Sequence, residues 1–306
     1  MSDLRAEPLS PIDAATLWPQ LRRLSTEVVA TRAGENLLLT SGLAATGLTN
    51  LPRMPRTVVC GVKRGLGYRG VLVARELAGG AGWEVVSLRI VREMDNEAVS
   101  ALLGCAGLEA ARRGGRTLYL RYPEGSPHGD AIRRSGLMPY RTEHLYALPH
   151  SEVRPNETAF RPATRADRHG IFRLYCRAVP EHVRRVEAPT QQDWRAVLDS
   201  YDCEREFVCE SDGSLAAWGG AGDRECRIMA SWSVEGLAEA ALDLVESIAA
   251  RHGTLVLGED QGGLEHAAAG RGYTALGVRM VCARRLAVMN SLKEVVAVPA
   301  ELALPH

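Results

Sequence analysis

Recognition of an anion calls for bare backbone N–H groups, and the stretch Ser233-Val234-Glu235-Gly236-Leu237-Ala238 is built to present them. It lies between a run of strand character ending IMASW and a stretch of alanine and leucine at helical spacing, so its main chain sits at the positive end of a helix. Gly236 lets the backbone come close to a ligand, and the Ser233 hydroxyl adds a donor. Such a turn suits a phosphate or diphosphate. The plainer alternative is an ordinary helix start, with Ser233 as its cap and Glu235 and Glu239 complementing the helix dipole.

Other chemistry finds less support. The glycines Gly65, Gly67 and Gly70 spell G-x-G-x-x-G, but they fall between two strand candidates with no helix after them, which is the context of a hairpin turn rather than a dinucleotide site. The seven cysteines, Cys60, Cys105, Cys176, Cys203, Cys209, Cys226 and Cys282, form no C-x-x-C pair and no metal-ligand spacing, so no metal is expected. Cys226, on a predicted strand, reads as a small buried hydrophobe. No G-x-S-x-G elbow is present.

The elements that must position the candidate turn come in duplicate. Residues 117 to 148 run parallel to residues 254 to 286: each reads as a short buried strand, a polar turn, a short helix, a glycine stop and a long last strand, with Gly136 and Gly272 in the same helix-ending place. A helical stretch precedes each copy, 96 to 113 and 236 to 251. Three strand candidates precede each helix: Val58 to Lys63, Tyr68 to Arg75 and Trp83 to Val91 in one half, Glu206 to Glu210, Leu215 to Gly220 and Glu225 to Trp232 in the other. The second half opens with the strand-like AFRPAT and helices over Ala166 to Val179 and Gln191 to Asp199. The first opens with a helix from Asp13 to about Glu27 and no obvious strand. The proline, asparagine and serine of residues 149 to 158 mark a linker, giving domains 1–150 and 151–306, and the tail from 288 to 306 has a short helix or strand around Leu292 to Val298.

Composition agrees with two globular domains. The chain has 306 residues, 46% of them apolar and 24% charged. The 37 basic and 37 acidic side chains cancel, which argues against nucleic-acid or anionic-membrane partners. Residues 1–150 carry 19 basic and 14 acidic groups and residues 151–306 carry 18 and 23, so the halves have opposite net charge, either to dock on one another or as scattered surface charge. The odd cysteine count, the absence of a basic-then-apolar leader and the absence of a long apolar run point to a soluble cytoplasmic protein, monomeric or homodimeric.

Three hairpin strands, a long helix, a strand, a short helix ending in glycine and a last strand resemble the GNAT acyltransferase fold, here in two tandem copies. The opening RPAT with Asp167 resembles the start of many such domains. The resemblance implies an α/β protein of two GNAT-like domains, each a mixed, mostly antiparallel sheet flanked by helices. It also implies N-acyl transfer, from acetyl-CoA as cosubstrate to the amine of a small molecule. The family holds the pyrophosphate of acyl-CoA on a loop patterned R/Q-x-x-G-x-G/A; Ser233 to Ala238 keeps the glycine and the final small residue, making Ser233, Val234, Gly236, Leu237 and Ala238 the expected cofactor contacts. In the first half the aligned Met94 to Val99 has no glycine and carries Asp95 and Glu97, so that copy reads as degenerate, with Asp95 or Asn96 as a plain cap.

Aminolysis of a thioester needs a base for the ammonium and an acid for the leaving thiolate. The resemblance makes Glu84, Asp223 and Glu225, near the start of the fourth strand of each half, the candidate carboxylates; exposed strand-end groups would look the same. The family's helix tyrosine is replaced by Ile132 and Ala268, and Tyr119, Tyr122, Tyr273, His128 and His266 are the nearby groups able to carry a proton. The alternative to an enzyme is a non-catalytic GNAT-like protein that binds a ligand or partner.

Overall fold

A computed structural model describes residues 4–10, 13, 17, 24, 26–30, 56–64, 67–91, 95–149, 159–232, 234–249 and 253–287. The N-terminal half contains β1 (Ala6–Pro8), β2 (Thr26–Ala30), β3 (Thr57–Arg64), β4 (Gly67–Glu76), β5 (Gly82–Ile90), α1 (Asn96–Arg112), β6 (Thr117–Pro123), α2 (Gly129–Arg134) and β7 (Met138–Ala147). The C-terminal half contains β8 (Phe160–Pro162), α3 (Arg168–Ala178), α4 (Glu181–Glu187), α5 (Gln191–Ser200), β9 (Arg205–Ser211), β10 (Ser214–Ala221), β11 (Glu225–Ala230), α6 (Leu237–Ile248), β12 (Thr254–Gly258), α7 (Gly262–Gly270) and β13 (Thr274–Arg285). The expected succession of strand, strand, strand, helix, strand, helix, strand is present in each half.

Gly67 and Gly70 lie in β4, which pairs antiparallel with β3 up to Arg64↔Gly67 as the hairpin context required; Gly65 lies outside the described residues. Gly136 and Gly272 both have left-handed backbones, φ +82° and +84°, which end α2 and α7 in the same way. The expected linker at 149 to 158 and the tail from 288 lie outside the described residues, Pro149 apart.

The helix expected from Asp13 to about Glu27 needs correction. Asp13 and Leu17 are helical, but Thr26 and Glu27 belong to β2, which pairs antiparallel with β5 from Thr26↔Ile90 to Ala30↔Ser87. The β-branched Val28 and Val29 suit a strand, and an open edge of β5 receives them.

The described strands form one sheet, in the order β1-β3-β4-β5-β6-β13-β7-β12-β11-β10-β9-β8 with β2 against β5. The halves exchange their last strands. β13 pairs with β6 of the N-terminal half, β7 pairs with β12 of the C-terminal half, and the two exchanged strands pair with each other in the middle. Two sheets predicted from one sequence repeat are therefore continuous.

Apolar periodicity sets the layers. In α1, Ala98, Val99, Leu102, Leu103, Ala106 and Ala110 share a buried face against β3 and β4, joined by Leu118, Leu120 and Ile132. In the C-terminal half, Leu237, Ala241, Leu244 and Val245 of α6 cover one face of the sheet. α3, α4 and α5 cover the other through Tyr175, Trp194, Tyr201 and Trp218, with the Tyr175 and Trp194 rings 4.1 Å apart.

Where the strands of the two halves meet, the sheet buries charge instead. Glu143 of β7, 2% exposed, lies 2.7 Å from Arg227, 2.8 Å from Arg279 and 3.5 Å from Arg121. Glu84 pairs with Arg75 and Arg121, and Arg141 pairs with Asp260 and, more loosely, Glu187. Burial opposes the charge on Glu143, and the three arginines overcome it, holding its pKa well below the usual carboxylate range. Across the joint, Arg141 meets Asp260 and Glu187 in the sense of the halves' net charges, whereas Glu143 meets Arg227 and Arg279 in the opposite sense.

Candidate functional site

Each half contains a parallel strand pair that begins together and then parts. β5 and β6 pair only from Gly82↔Thr117 to Val85↔Leu120, and β11 and β12 only from Glu225↔Thr254 to Arg227↔Val256. Beyond those points each pair opens into a wedge, with a helix N-terminus beside it. The two wedges differ in what fills them.

In the N-terminal half the wedge is taken by β2, lying along Ser87 to Ile90. The neighbouring end of α1 is closed as well: Asp95 accepts from the Ala98 N–H at 3.2 Å and is itself gripped by Arg69 at 2.6 and 2.8 Å. Asp95 is the plain cap expected of it, and the helix end is neutralised by the chain's own carboxylate.

In the C-terminal half the end of α6 has no side-chain cap. Gly236 precedes it in a left-handed backbone, φ +73°, where a side chain would be strained, and nothing lies within 4 Å of the position a Cβ would take. Gly236 and Glu235 are exposed, Val234 and Ala238 are half-buried, and Leu237 anchors the turn in the core. Ser233 lies outside the described residues. Within the turn the Leu237 N–H is turned back to the Val234 carbonyl at 3.4 Å, and open space lies beside Gly236.

The wedge itself is narrow. The Ser231 N–H donates to Ala216 of β10 and Glu225 accepts from Gly222, so by alternation the backbone groups of Cys226, Ile228 and Ala230 face β12. The Ala230 N–H, past the last paired residue, donates to Gln261 Oε1 at 3.1 Å. Gln261 is 1% exposed; its amide nitrogen donates to Asp260 at 2.6 Å, and Asp260 accepts from Arg141 at 2.8 Å. Trp232 leans on Gly263 at the start of α7, across the mouth of the wedge. On the face under α3–α5, a small cavity is lined by Met229, Gly258, Gln261, Arg141, Arg227 and Tyr201. Burial pushes the Tyr201 pKa up to about 12, so its hydroxyl keeps its proton at neutral pH.

The expected carboxylates are not gathered at this wedge. Asp223 is exposed in the turn before β11; seven strand residues at about 3.3 Å each place it about 23 Å from Ala230. Glu225 is bound to Arg279 at 2.8 Å and Arg227 at 3.0 Å; burial raises its pKa, the two arginines more than reverse that, and it settles at about 2. Glu84 is buried between Arg75 and Arg121. A carboxylate held like Glu225 is a weak base, and both Glu84 and Glu225 are held by arginines of their own half.

Ile132 and Ala268 are fully buried core; among the proton carriers, His266 is exposed on α7 and His128 Nδ1 is 2.8 Å from Asn96 Oδ1 beside α1. Tyr273 and Tyr122 are core residues. Sequence reasoning did not single out Gln261, Arg141 or Tyr201. The visible signals were a lone Gln before two glycines and an arginine inside an otherwise half-apolar strand.

No family model matches the chain, and no curated protein matches its sequence. Solved structures do resemble it. A GCN5-related N-acetyltransferase from Sphaerobacter thermophilus is similar over 93% of this chain and 96% of its own, at 12% identity and a TM-score of 0.50. A Drosophila protein is similar over 93% and 99%, at 13% identity and a TM-score of 0.52. A tandem GNAT protein from the clavulanic acid biosynthesis pathway aligns over 92% and 98%, at 15% identity and a TM-score of 0.47. With its duplicated wedge and exchanged last strands, the chain has a tandem GNAT-like fold.

Proposed function

We propose that the protein is an N-acyltransferase that takes acetyl-CoA as cosubstrate in its C-terminal half and acylates the amine of a small molecule. The observation that carries this reading is the asymmetry of the two helix ends: Asp95 and Arg69 close α1, while α6 begins at an uncapped, left-handed Gly236 with room beside it. An acyl-CoA would supply a thioester activated for aminolysis.

The residues present fit that group at two points. The turn from Val234 to Ala238 offers main-chain donors and the positive helix end to a diphosphate. The Ala230 N–H, which now takes an amide carbonyl from Gln261, is a donor suited to a ligand carbonyl once that side chain turns away. Tyr201 holds a proton in the adjoining cavity and is the candidate donor to a leaving thiolate. With Glu84 and Glu225 held by arginines and Asp223 exposed far from Ala230, this reading favours an ordered water as the base.

A second reading, ligand binding without catalysis, is favoured by those arginine-locked carboxylates and by the side chains filling the wedge. Two measurements separate the readings. Acetyl-CoA should raise the melting temperature by linkage, Gly236→Glu should abolish the rise, and Glu97→Ala should leave it unchanged. Thiol release from acetyl-CoA with a panel of small amines then reports transfer: a melting shift without release supports the second reading, and no shift at millimolar acetyl-CoA overturns both as they concern this cofactor.

A further inference from the structure

A larger pocket, with a cavity volume of about 80 Å³, lies apart from the wedge at the joint between the halves. One wall is the sheet, with Arg116, Thr117 and Tyr119 at the start of β6 and Arg285 at the end of the exchanged β13. The other wall is the connection from α4 to α5, with Glu187, Gln192 and Asp193. By register the end of β12, Gly258, lies in line with Glu143, Arg279 and Pro123 at the end of β6, and Thr117 at the start of β6 lies six residues, about 20 Å, further along the strand. The pocket and the wedge are therefore distinct.

The walls carry opposite charge that is only loosely neutralised. Arg285 is exposed; its guanidinium donates to the Thr117 hydroxyl and the Arg185 carbonyl, both at 3.2 Å, and among the described residues it has no carboxylate partner. Arg116 meets Asp193 at 3.7 Å with its own side chain 59% exposed, a pair that yields readily to a better-placed ligand. The remaining Asp193 oxygen is held by Thr190 at 2.6 Å, which fixes the carboxylate in place. Between the walls, the Tyr119 hydroxyl makes long contacts, 3.3 and 3.4 Å, to the carbonyls of Glu187 and Val186. Forked donors on one side suit a carboxylate, and a fixed carboxylate with main-chain carbonyls on the other suits an ammonium.

We propose that this inter-half pocket binds a small amino carboxylate, its carboxylate on Arg285 and Arg116 and its ammonium on Asp193 and the α4–α5 carbonyls. The site stands whether or not the C-terminal half takes acetyl-CoA. The test is calorimetric titration of the full chain with glycine, 4-aminobutyrate and 6-aminohexanoate, with butyrate and butylamine as single-charge controls.

At least one amino carboxylate should bind at millimolar concentration or tighter, and more tightly than either control. Arg285→Gln and Asp193→Asn should each weaken it about tenfold, the cost of one charge-assisted contact. Both side chains lie at the protein surface or a helix start, and circular dichroism of the variants establishes that they fold. No binding by any of the three, equal binding by a control, or binding indifferent to both substitutions in folded protein overturns the proposal. A failure of acetyl-CoA to bind would leave it untouched.

Discussion

Gln261→Ala tests the reading of the wedge through two quantities that should move in opposite directions. In the resting protein Gln261 Oε1 accepts from the Ala230 N–H at 3.1 Å, and the side chain is kept there by Asp260, which Arg141 holds in turn. A ligand carbonyl that takes this donor must first displace the glutamine. Exchanging one buried hydrogen bond is worth about 1 kcal/mol, so removing the competitor should tighten acetyl-CoA binding about fivefold. The unliganded protein pays in stability: the Ala230 N–H loses its partner, which costs about 1–3 kcal/mol. Titration calorimetry gives the affinity, and urea denaturation without ligand gives the stability. Lower stability with unchanged or weaker binding would show that Gln261 is a strut and does not occupy the ligand's place.

Three further outcomes follow from the charge network and the N-terminal half. Glu143→Leu leaves Arg121, Arg227 and Arg279 around a buried position without their shared carboxylate, and urea denaturation should register a loss of about 3–5 kcal/mol; a loss below 1 kcal/mol would mean the arginines find other partners. The depressed pKa values of Glu143 and Glu225 contribute stability that is fully present above the unfolded value near 4.5. It is lost as pH falls through the folded value, about 2 for Glu225. An unscreened shift of that size is worth about 3 kcal/mol and less for a side chain one-third exposed, so melting temperature should drop steeply between pH 4.5 and 2, with 1 M salt blunting the drop; a flat profile would contradict the pairing. Asp95→Ala uncaps α1 at a cost of about 1 kcal/mol, yet should not create a second acetyl-CoA site, because β2 still fills that wedge; a stoichiometry of two by calorimetry would refute this.

Local pattern made most of the fold legible. Alternation marked β3, β4, β5, β9 and β10 to within a residue or two, and alanine and leucine spacing marked α1 and α6. What local pattern lacked was partner choice. β7 and β13 read alike, strand after helix after glycine, and nothing within either copy says which sheet it enters; that is decided by contacts far apart in sequence, including the arginines that converge on Glu143. The three-residue β1 has no alternation to show, and α4 offers only Val183 and Val186 after Pro180. The same limit governs the site. Gly236 was visible because its conformational requirement is local, whereas the pairing of Glu84 and Glu225 with arginines from other strands was not, and a strand-end carboxylate looks the same in either role.

The two wedges share one geometry and differ in the cost of opening them. Freeing the N-terminal wedge means stripping β2 from β5, which exposes Val28 and Val29, about 4% and 3% exposed now, and breaks a run of ladder hydrogen bonds. At about 1.5–3 kcal/mol for each valine the apolar loss alone reaches about 3–6 kcal/mol, comparable with the whole stability of a small domain. Freeing the C-terminal wedge requires one glutamine to change rotamer and exchange about 1 kcal/mol of hydrogen bonding, beside a helix end that already lacks a cap. A difference of that size, a factor of about 30 or more in the population of open states, decides which half can admit a ligand without unfolding. The duplication therefore leaves one half as a closed buttress, and the strand it lends, β7, carries Arg141, which fixes the Asp260 that holds Gln261 in the other half's wedge. Loosening that contact, as in Arg141→Met, should give the same tighter binding as Gln261→Ala through a residue that never touches the wedge donor. If Arg141→Met folds and binds acetyl-CoA no better than the parent, Gln261 is held by its own packing and the exchanged strand has no say in the opening.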